Sequence, residues 1–246
     1  MIKKATDINC LSGVSSPLLP LIYANFSIIN ASSNGVYCQF NNENQIVFIL
    51  SVKNSQAVAT ATGAYDAEEI QYFLKMMGVT SVISDSRFDN LGISFKQYEL
   101  LKLCEEKRCD NNCTQFLGLD SKAEDYRGVF SLFSCDEELF ASWYVEVCKK
   151  IIYPCGLFGY IKSDNQIVSA ALATGIYENK AVISGVFTHE KYRNKGFGSE
   201  CVAGVSSKLA SMGVTDVFLW CEEDKLDFYY KLGYKKFSYV FVGACK

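Results

Sequence analysis

The segment 186–199 combines the residue types that bind an anion. It reads VFTHEKYRNKGFGS, an apolar run typical of a strand, followed by a basic stretch with two glycines and then by a helical pattern. Gly196 and Gly198 would let the backbone approach a ligand closely. Arg193 and Lys195 would add positive charge, and the free N–H groups at the start of the helix would donate to the anion. The segment therefore predicts a site for a phosphate or a diphosphate.

Two common phosphate-binding motifs do not fit this segment. The dinucleotide motif G-x-G-x-x-G needs a third glycine where Cys201 stands, and the Gly-Lys-Ser/Thr ending of the Walker loop is missing. The pattern that remains, R-x-x-G-x-G at 193–198, resembles the acetyl-CoA signature of the GNAT superfamily of N-acyltransferases. FYYKLGY at 228–234 is similar to the closing element of that superfamily. The resemblance covers roughly residues 130 to 246.

The resemblance implies acetyl-CoA as acyl donor and a set of residues that bind it. These residues are Val186, Phe187, Thr188, Arg193, Asn194, Lys195, Gly196, Phe197, Gly198 and Ser199. Val186 and Thr188 would bind the pantetheine arm through their main-chain groups, and a main-chain N–H here would polarise the thioester carbonyl. Gly185 is expected to mark a bulge that separates this strand from the next.

The resemblance also implies a proton donor, Tyr229, for the departing thiolate. A phenol with a pKa of about 10 is protonated at neutral pH and can act as an acid, whereas Tyr230 is expected only to pack. The implied reaction is transfer of an acetyl group to a primary amine by direct attack through a tetrahedral intermediate. The alternative is a non-catalytic acyl-CoA-binding sensor or interaction module.

The general base and the amine acceptor stay open at this point. Four carboxylates near strand ends could accept the proton of the amine, and no role is assigned to any of them: Glu190, Glu222, Glu223 and Asp224.

The elements around these motifs predict an α+β protein with a mixed central sheet flanked by helices, the acyl-CoA N-acyltransferase fold. Helices are expected at 136–150, 198–212 and 226–232, and strands at 157–161, 167–176, 181–188, 214–220 and 237–242. The first helix would bury Leu139, Trp143 and Val147. The second would bury a stripe formed by Cys201, Val205, Leu209 and Met212.

Three short motifs recur in the same order and indicate two related halves, 1–120 and 121–246. NQIV occurs at 44–47 and 165–168, MGVT at 77–80 and 212–215, and a Leu-Gly pair at 91–92 and 232–233. Val47 precedes Met77 by 30 positions, whereas Val168 precedes Met212 by 44. The 14 missing residues are expected to be those of the glycine loop. TGAY at 62–65 and the acidic Asp66 replace that loop, so the first half is predicted not to bind CoA.

The composition of the chain limits the classes of function that we expect for it. The chain has 246 residues, is 49% hydrophobic and has a net charge of −3, which predicts a folded globular protein and argues against nucleic acid or an anionic membrane as its main partner. It contains no run of about 20 apolar residues. The eleven cysteines show no regular spacing that would indicate disulfide pairs. This favours a protein that acts in the reducing cytoplasm. Composition does not predict the oligomeric state.

Metal binding and cysteine catalysis are not expected. Cys104, Cys109 and Cys113 lack a fourth ligand at a comparable spacing, so no zinc site is predicted. His189, the single histidine, is expected to set the exit of the strand rather than to activate a cysteine.

Overall fold

The computed structural model describes residues 1–28, 35–105 and 113–245. The strands of these residues form one mixed sheet of twelve strands. Their bounds are β1 Ile2–Lys4, β2 Gly35–Phe40, β3 Ile46–Lys53, β4 Gln56–Ala61, β5 Ser81–Ser84, β6 Ser94–Leu103, β7 Gln115–Phe116, β8 Leu157–Ser163, β9 Gln166–Tyr177, β10 Lys180–Thr188, β11 Asp216–Cys221 and β12 Tyr234–Ala244. The strand order is β1-β2-β3-β4-β5-β12-β6-β11-β10-β9-β8-β7.

Helices cover both faces of the sheet, which confirms the predicted class. Their bounds are α1 Leu19–Ile28, α2 Ala67–Met76, α3 Ala123–Phe130, α4 Glu137–Ile152, α5 Phe197–Ser211 and α6 Leu226–Tyr230. Val182 packs with α1, whereas its neighbour Ile183 packs with α5, because successive side chains of a strand point to opposite faces. We call these the α1 face and the α5 face. Among the described helices, none is long and apolar enough to cross a membrane.

The two halves exchange the long strands β6 and β12. β12 of the second half pairs with β5 of the first half, and β6 of the first half pairs with β11 of the second. β6 and β12 then pair with each other at the centre of the sheet. Each half therefore depends on a strand of the other half to extend its sheet.

The repeated motifs mark equivalent chain reversals. MGVT begins at the end of α2 in the first half and at the end of α5 in the second. Gly78 and Gly213 have φ of 63° and 87°, the left-handed conformation with which a glycine ends a helix. A strand follows in both cases, β5 or β11, and each of them pairs in parallel with the strand that precedes the helix.

The 14-residue difference between the halves is distributed over several elements. β3 and β4 have 8 and 6 residues, against 12 and 9 in β9 and β10, and α2 has 10 residues against 15 in α5. The loop before the helix runs from 62 to 66 in the first half and from 189 to 196 in the second. The expectation that the missing residues all belong to the glycine loop is therefore wrong.

Two predicted core positions are also wrong. Leu139 is 56% exposed, because α4 turns its neighbour Phe140 inward against Phe130, with ring centroids 5.4 Å apart. Met212 is 44% exposed, because α5 ends at Ser211 and Met212 lies beyond the buried stripe.

Candidate functional site

β10 and β11 separate halfway along their length. They pair from Lys180 and Asp216 to Ile183 and Leu219. Beyond that point, β10 pairs only with β9 and β11 only with β6, and the pairing of β10 with β9 shifts register on both sides of Ile183, next to Gly185. We call the opening between residues 184–188 and 220–221 the strand gap.

Two residues of β10 turn their main-chain groups into the strand gap. The His189 N–H donates to the Val168 carbonyl of β9 at 2.9 Å. Main-chain groups alternate in direction along a strand, so the N–H and C=O groups of Val186 and Thr188 point away from β9. Arg193 Nε donates to the Thr188 carbonyl oxygen at 3.2 Å, which agrees with this direction. The gap therefore offers main-chain donors and acceptors to an extended ligand.

The strand gap continues into a cavity of about 790 Å³ that reaches the start of α5. Among the described residues its lining is Leu132, Val186, Phe187, Thr188, Tyr192, Arg193, Asn194, Gly196, Phe197, Gly198, Ser199, Lys225, Phe228, Tyr229 and Lys231. Nine of the ten residues predicted to bind the cofactor belong to this set. The tenth, Lys195, is exposed, and its ammonium lies 5.1 Å from the centre of the Tyr192 ring.

The start of α5 is free to receive an anion. Gly196 precedes the helix with φ of 89°, and no side chain caps the first turn. The first hydrogen bond of the helix runs from the Glu200 N–H to the Gly196 carbonyl oxygen at 3.0 Å, so the preceding N–H groups have no intrahelical partner. A Cβ on Gly198 would lie 3.0 Å from Thr188 Oγ1. The absence of a side chain at Gly198 therefore keeps the space between α5 and β10 open.

Tyr229 lines the same cavity from α6. Burial, and the nearby Cys221 thiol, raise the pKa of Tyr229 to about 12. Its ring centroid lies 4.9 Å from that of Phe228 and 6.0 Å from that of Tyr234. The hydroxyl is therefore protonated at neutral pH and can donate a proton into the cavity. Tyr230, in contrast, is 43% exposed and is outside the described lining.

Comparison with known proteins agrees with this geometry. Residues 120–234 match the model of the acetyltransferase (GNAT) family. This segment of the chain belongs to the GNAT family. A search of curated proteins gave no significant match.

Solved structures of GNAT proteins share the fold over almost the whole chain. A GCN5-related N-acetyltransferase from Sphaerobacter thermophilus matches with a TM-score of 0.62 and 11% identity, over 100% of this chain and 95% of its own. A GNAT-family protein from Novosphingobium aromaticivorans matches with a TM-score of 0.60 and 14% identity, over 94% and 98%. A tandem GNAT protein of the clavulanic acid biosynthesis pathway matches with a TM-score of 0.58 and 10% identity, over 86% and 82%. The chain therefore has the tandem form of the GNAT fold.

The remaining candidates of the sequence lie outside the described cavity lining. Glu190, Glu222, Glu223 and Asp224 are exposed. Glu222 pairs with Lys96 and Asp224 with Lys225.

His189 caps the short turn after β10, where its Nδ1 accepts from the Lys191 N–H at 3.3 Å. It thus lies at the exit of the strand, as the sequence predicts.

Of Cys104, Cys109 and Cys113, the three cysteines for which no zinc site is predicted, Cys109 lies outside the described residues. Within the described ranges, no three His, Cys, Asp or Glu side chains form a group that could hold a metal ion.

The cavity includes residues that sequence reasoning missed. Lys225 and Lys231 flank α6 and, with Arg193, give the described lining three positive charges and no negative one. Lys231 belongs to the closing motif at 228–234 and Lys225 lies three positions before that motif, so the motif could have revealed them. Leu132 comes from the connection between α3 and α4, where no motif points to it.

Proposed function

We propose that the protein transfers an acetyl group from acetyl-CoA to a primary amine. One observation supports this most: the strand gap, the uncapped start of α5 and the Tyr229 side chain all open into a single cavity. The GNAT family and fold are those of acyltransferases that take the acyl group from a CoA thioester. The acetyl group and the roles of the residues are our proposal.

In this proposal the diphosphate of CoA binds at the start of α5. The N–H groups of Phe197, Gly198 and Ser199 donate to it, and Arg193 adds positive charge. The pantetheine arm then extends along β10, where Val186 and Thr188 offer main-chain groups as a neighbouring strand would. This places the thioester in the strand gap, where a main-chain N–H can stabilise the oxyanion.

The reaction is direct attack of the amine on the thioester carbonyl carbon. A C–N bond forms and the carbonyl oxygen becomes an oxyanion, which then collapses with cleavage of the C–S bond. The Tyr229 hydroxyl gives its proton to the departing sulfur. The amine releases one proton to water and Tyr229 regains one from water, so the reaction consumes no net proton. These steps need no metal ion.

The alternative function is an acyl-CoA-binding sensor without turnover. The position of Tyr229 favours the enzyme, because a protonated phenol inside the cavity is what a leaving thiolate requires.

We also propose that the protein acts in the cytoplasm. The buried thiols of Cys155, Cys201 and Cys221 form no disulfide, and such thiols persist in a reducing compartment.

Replacement of the proton donor tests the proposal. Tyr229→Phe should lower kcat by about 100-fold or more, because loss of a general acid has effects of this size. The affinity for CoA should change by less than about threefold, because the phenyl ring still fills its place. Thiol release from acetyl-CoA measures the rate, and calorimetry measures CoA binding.

Tyr230→Phe is the matched control, because it removes a phenol from the adjacent, exposed position. It should leave both quantities unchanged. Unchanged turnover in Tyr229→Phe would remove Tyr229 from the mechanism. Tight CoA binding without thiol release across a broad panel of amines would favour the sensor.

A further inference from the structure

A second cavity, of about 400 Å³, lies on the α1 face. α1, α4 and the turn between β3 and β4 contribute to its wall together with the central strands. The described residues that line it are Leu21, Asn25, Lys53, Asn54, Gln56, Ala57, Val58, Ile83, Glu146, Lys150, Thr174, Ser184 and Trp220. Both halves therefore supply its lining.

This second cavity meets the strand gap at the point where β10 and β11 part. Ser184 follows Ile183, and Trp220 follows Leu219, the last pair that the two strands form. Val182 and Phe218 belong to the α1 face. Ser184 and Trp220 line the second cavity together with Leu21 and Asn25 of α1, so they lie on that face as well. Ser184 is only two residues, about 7 Å along a strand, from Val186 of the first cavity. A group attached to a thioester in the strand gap would therefore lie beside the second cavity.

Three charged side chains line the second cavity, and we call them the ion cluster. Glu146 Oε2 lies 2.5 Å from Lys53 Nζ, and Glu146 Oε1 lies 2.9 Å from Lys150 Nζ. Lys150, which is 5% exposed, also donates to the Thr174 carbonyl oxygen at 2.8 Å. Both oxygens of the carboxylate are thus engaged, and the ion cluster keeps one net positive charge.

Lys53 is the member of the ion cluster with the most donors left for a ligand, because Lys150 already has two partners, Glu146 and the Thr174 carbonyl oxygen. An ammonium group has three N–H donors, and among the described residues Glu146 is the single ion-pair partner of Lys53. Thr174 and Ser184 add hydroxyl groups that are 2.6 Å apart. The cavity can therefore bind an anionic group next to hydroxyl groups.

The positive charge of the cavity also suits an amine nucleophile. Burial lowers the pKa of Lys53, the nearby Lys150 and Lys149 lower it further, and Glu146 opposes the shift. The positive charges of Lys53 and Lys150 would likewise lower the pKa of an amine bound in the cavity. Since only the uncharged amine can attack a thioester, this favours the reactive form.

We propose that the second cavity is the acceptor site, and that the acceptor is a small primary amine which also carries an anionic group, a carboxylate or a phosphate. The inference rests on the proposed acetyl transfer for the role of the amine. Lys53 binds the anionic group, and the amine points towards the strand gap between Ser184 and Trp220. The first half then supplies an acceptor-binding residue to the GNAT domain.

Equilibrium binding tests the acceptor class without requiring turnover. With the protein saturated in CoA, calorimetry compares α-amino acids with their carboxamides, and O-phosphoethanolamine with ethanolamine. We expect a carboxylate or a phosphate member to bind at least about tenfold more tightly than its neutral counterpart, because a charge-assisted hydrogen bond is lost in the neutral compound. Equal binding of both members of every pair would overturn the proposal.

Substitution of Lys53 tests the residue. Lys53→Met should remove the preference for the anionic member, Lys53→Arg should largely restore it, and the affinity for CoA should stay the same in both. Lys75→Met, at the exposed end of α2, is the matched control and should keep the preference. A preference that survives in Lys53→Met would also overturn the proposal.

Thiol release from acetyl-CoA separates this inference from the proposed function. If the anionic amines bind through Lys53 and no thiol is released, acetyl transfer fails while the cavity keeps its ligand class. If thiol is released from neutral and anionic amines at equal rates, acetyl transfer stands and the proposed acceptor class fails.

Discussion

The two halves present opposite environments at equivalent helix starts. In α2 the Asp66 side chain accepts from the Glu69 N–H at 3.1 Å and thereby caps the first turn. Glu69 itself accepts from the Ile2 N–H at 2.8 Å and from Gln39 Nε2 at 2.7 Å. In α5 a glycine stands at the cap and the first turn stays open. A carboxylate of the protein thus occupies in the first half the position that we propose for a phosphate of CoA in the second.

The ends of the two parallel strand pairs, β4 with β5 and β10 with β11, differ in the same way. β4 and β5 pair as far as Ala59 and Ser84, and the next residues are Thr60 and Asp85. Asp85 Oδ2 accepts from Thr60 Oγ1 at 2.8 Å and from Ser16 Oγ at 2.6 Å, which joins the two strands where β10 and β11 diverge. A few side chains thus close the helix start and the strand ends in the first half, whereas the corresponding positions of the second half are open.

The largest effect is expected from giving α5 the acidic start of α2. Gly198→Asp places a carboxylate and a Cβ where the diphosphate of CoA is proposed to bind. We expect the affinity for CoA to fall by at least about a thousandfold, or about 4 kcal/mol, measured by calorimetry. Ala64→Asp adds the same carboxylate before α2 and should change nothing. If both variants bind CoA equally well, the start of α5 is not the CoA site.

An intermediate effect is expected at the ion cluster, where Lys53 of the first half contacts Glu146 of the second. Glu146→Gln leaves Lys53 and Lys150 without their shared carboxylate, which should lower the free energy of unfolding at pH 7 by about 3 kcal/mol. Burial opposes the ionisation of Glu146, but Lys150 and Lys53 outweigh it and lower its pKa from 4.5 to about 2.

The pH dependence of that variant gives a second measurement. Because the pKa of Glu146 is lower in the folded protein, its contribution is present above pH 4.5 and is lost as the pH falls towards 2. Urea unfolding at several pH values should show this loss in the wild type and a weaker dependence in Glu146→Gln. Equal curves for the two proteins would mean that the ion cluster does not stabilise the fold.

The smallest effect is expected at Asp85. Asp85→Asn keeps an oxygen that can accept from Ser16 and Thr60, so the free energy of unfolding at pH 7 should change by less than about 1 kcal/mol. Burial raises the pKa of Asp85 from 3.8, although its hydrogen bonds oppose the shift. The folded protein therefore favours protonated Asp85, and this contribution disappears as the pH rises.

Two measurements check the Asp85 prediction. Unfolding at pH 7 and at pH 3 should show that Asp85→Asn is relatively less stable at the lower pH. Asp85→Ala, which leaves both hydroxyls without their acceptor, should be the less stable of the two variants at pH 7. Identical stability of the two variants would mean that Asp85 does not hold β4 and β5 together.

Much of the candidate cofactor site could be predicted because it is continuous in sequence. Residues 186–199 pass from strand to loop to helix, so local geometry alone brings Val186, Gly196 and Gly198 to one cavity. The relation between the two halves could also be predicted from the sequence. Gly78 and Gly213, which adopt the left-handed conformation that ends a helix, belong to the MGVT motif that both halves contain.

The remaining features depend on contacts between distant segments. Nothing in the composition of β6 or β12 indicates that they cross into the other half, because strand pairing is decided by register and packing over long separations. Lys53 of β3 and Glu146 of α4 come from different halves and meet beside α1, which packs on β3, α4 and β9. Neither charged residue belongs to a motif.

The exchange of β6 and β12 has a consequence for folding. A fragment that ends near residue 120 would lose the neighbour of β5, and the complementary fragment would lose the neighbour of β11. Each would expose an unpaired edge, which promotes aggregation. The chain should therefore unfold in one cooperative step and refold slowly, since its central ladder joins segments far apart in sequence.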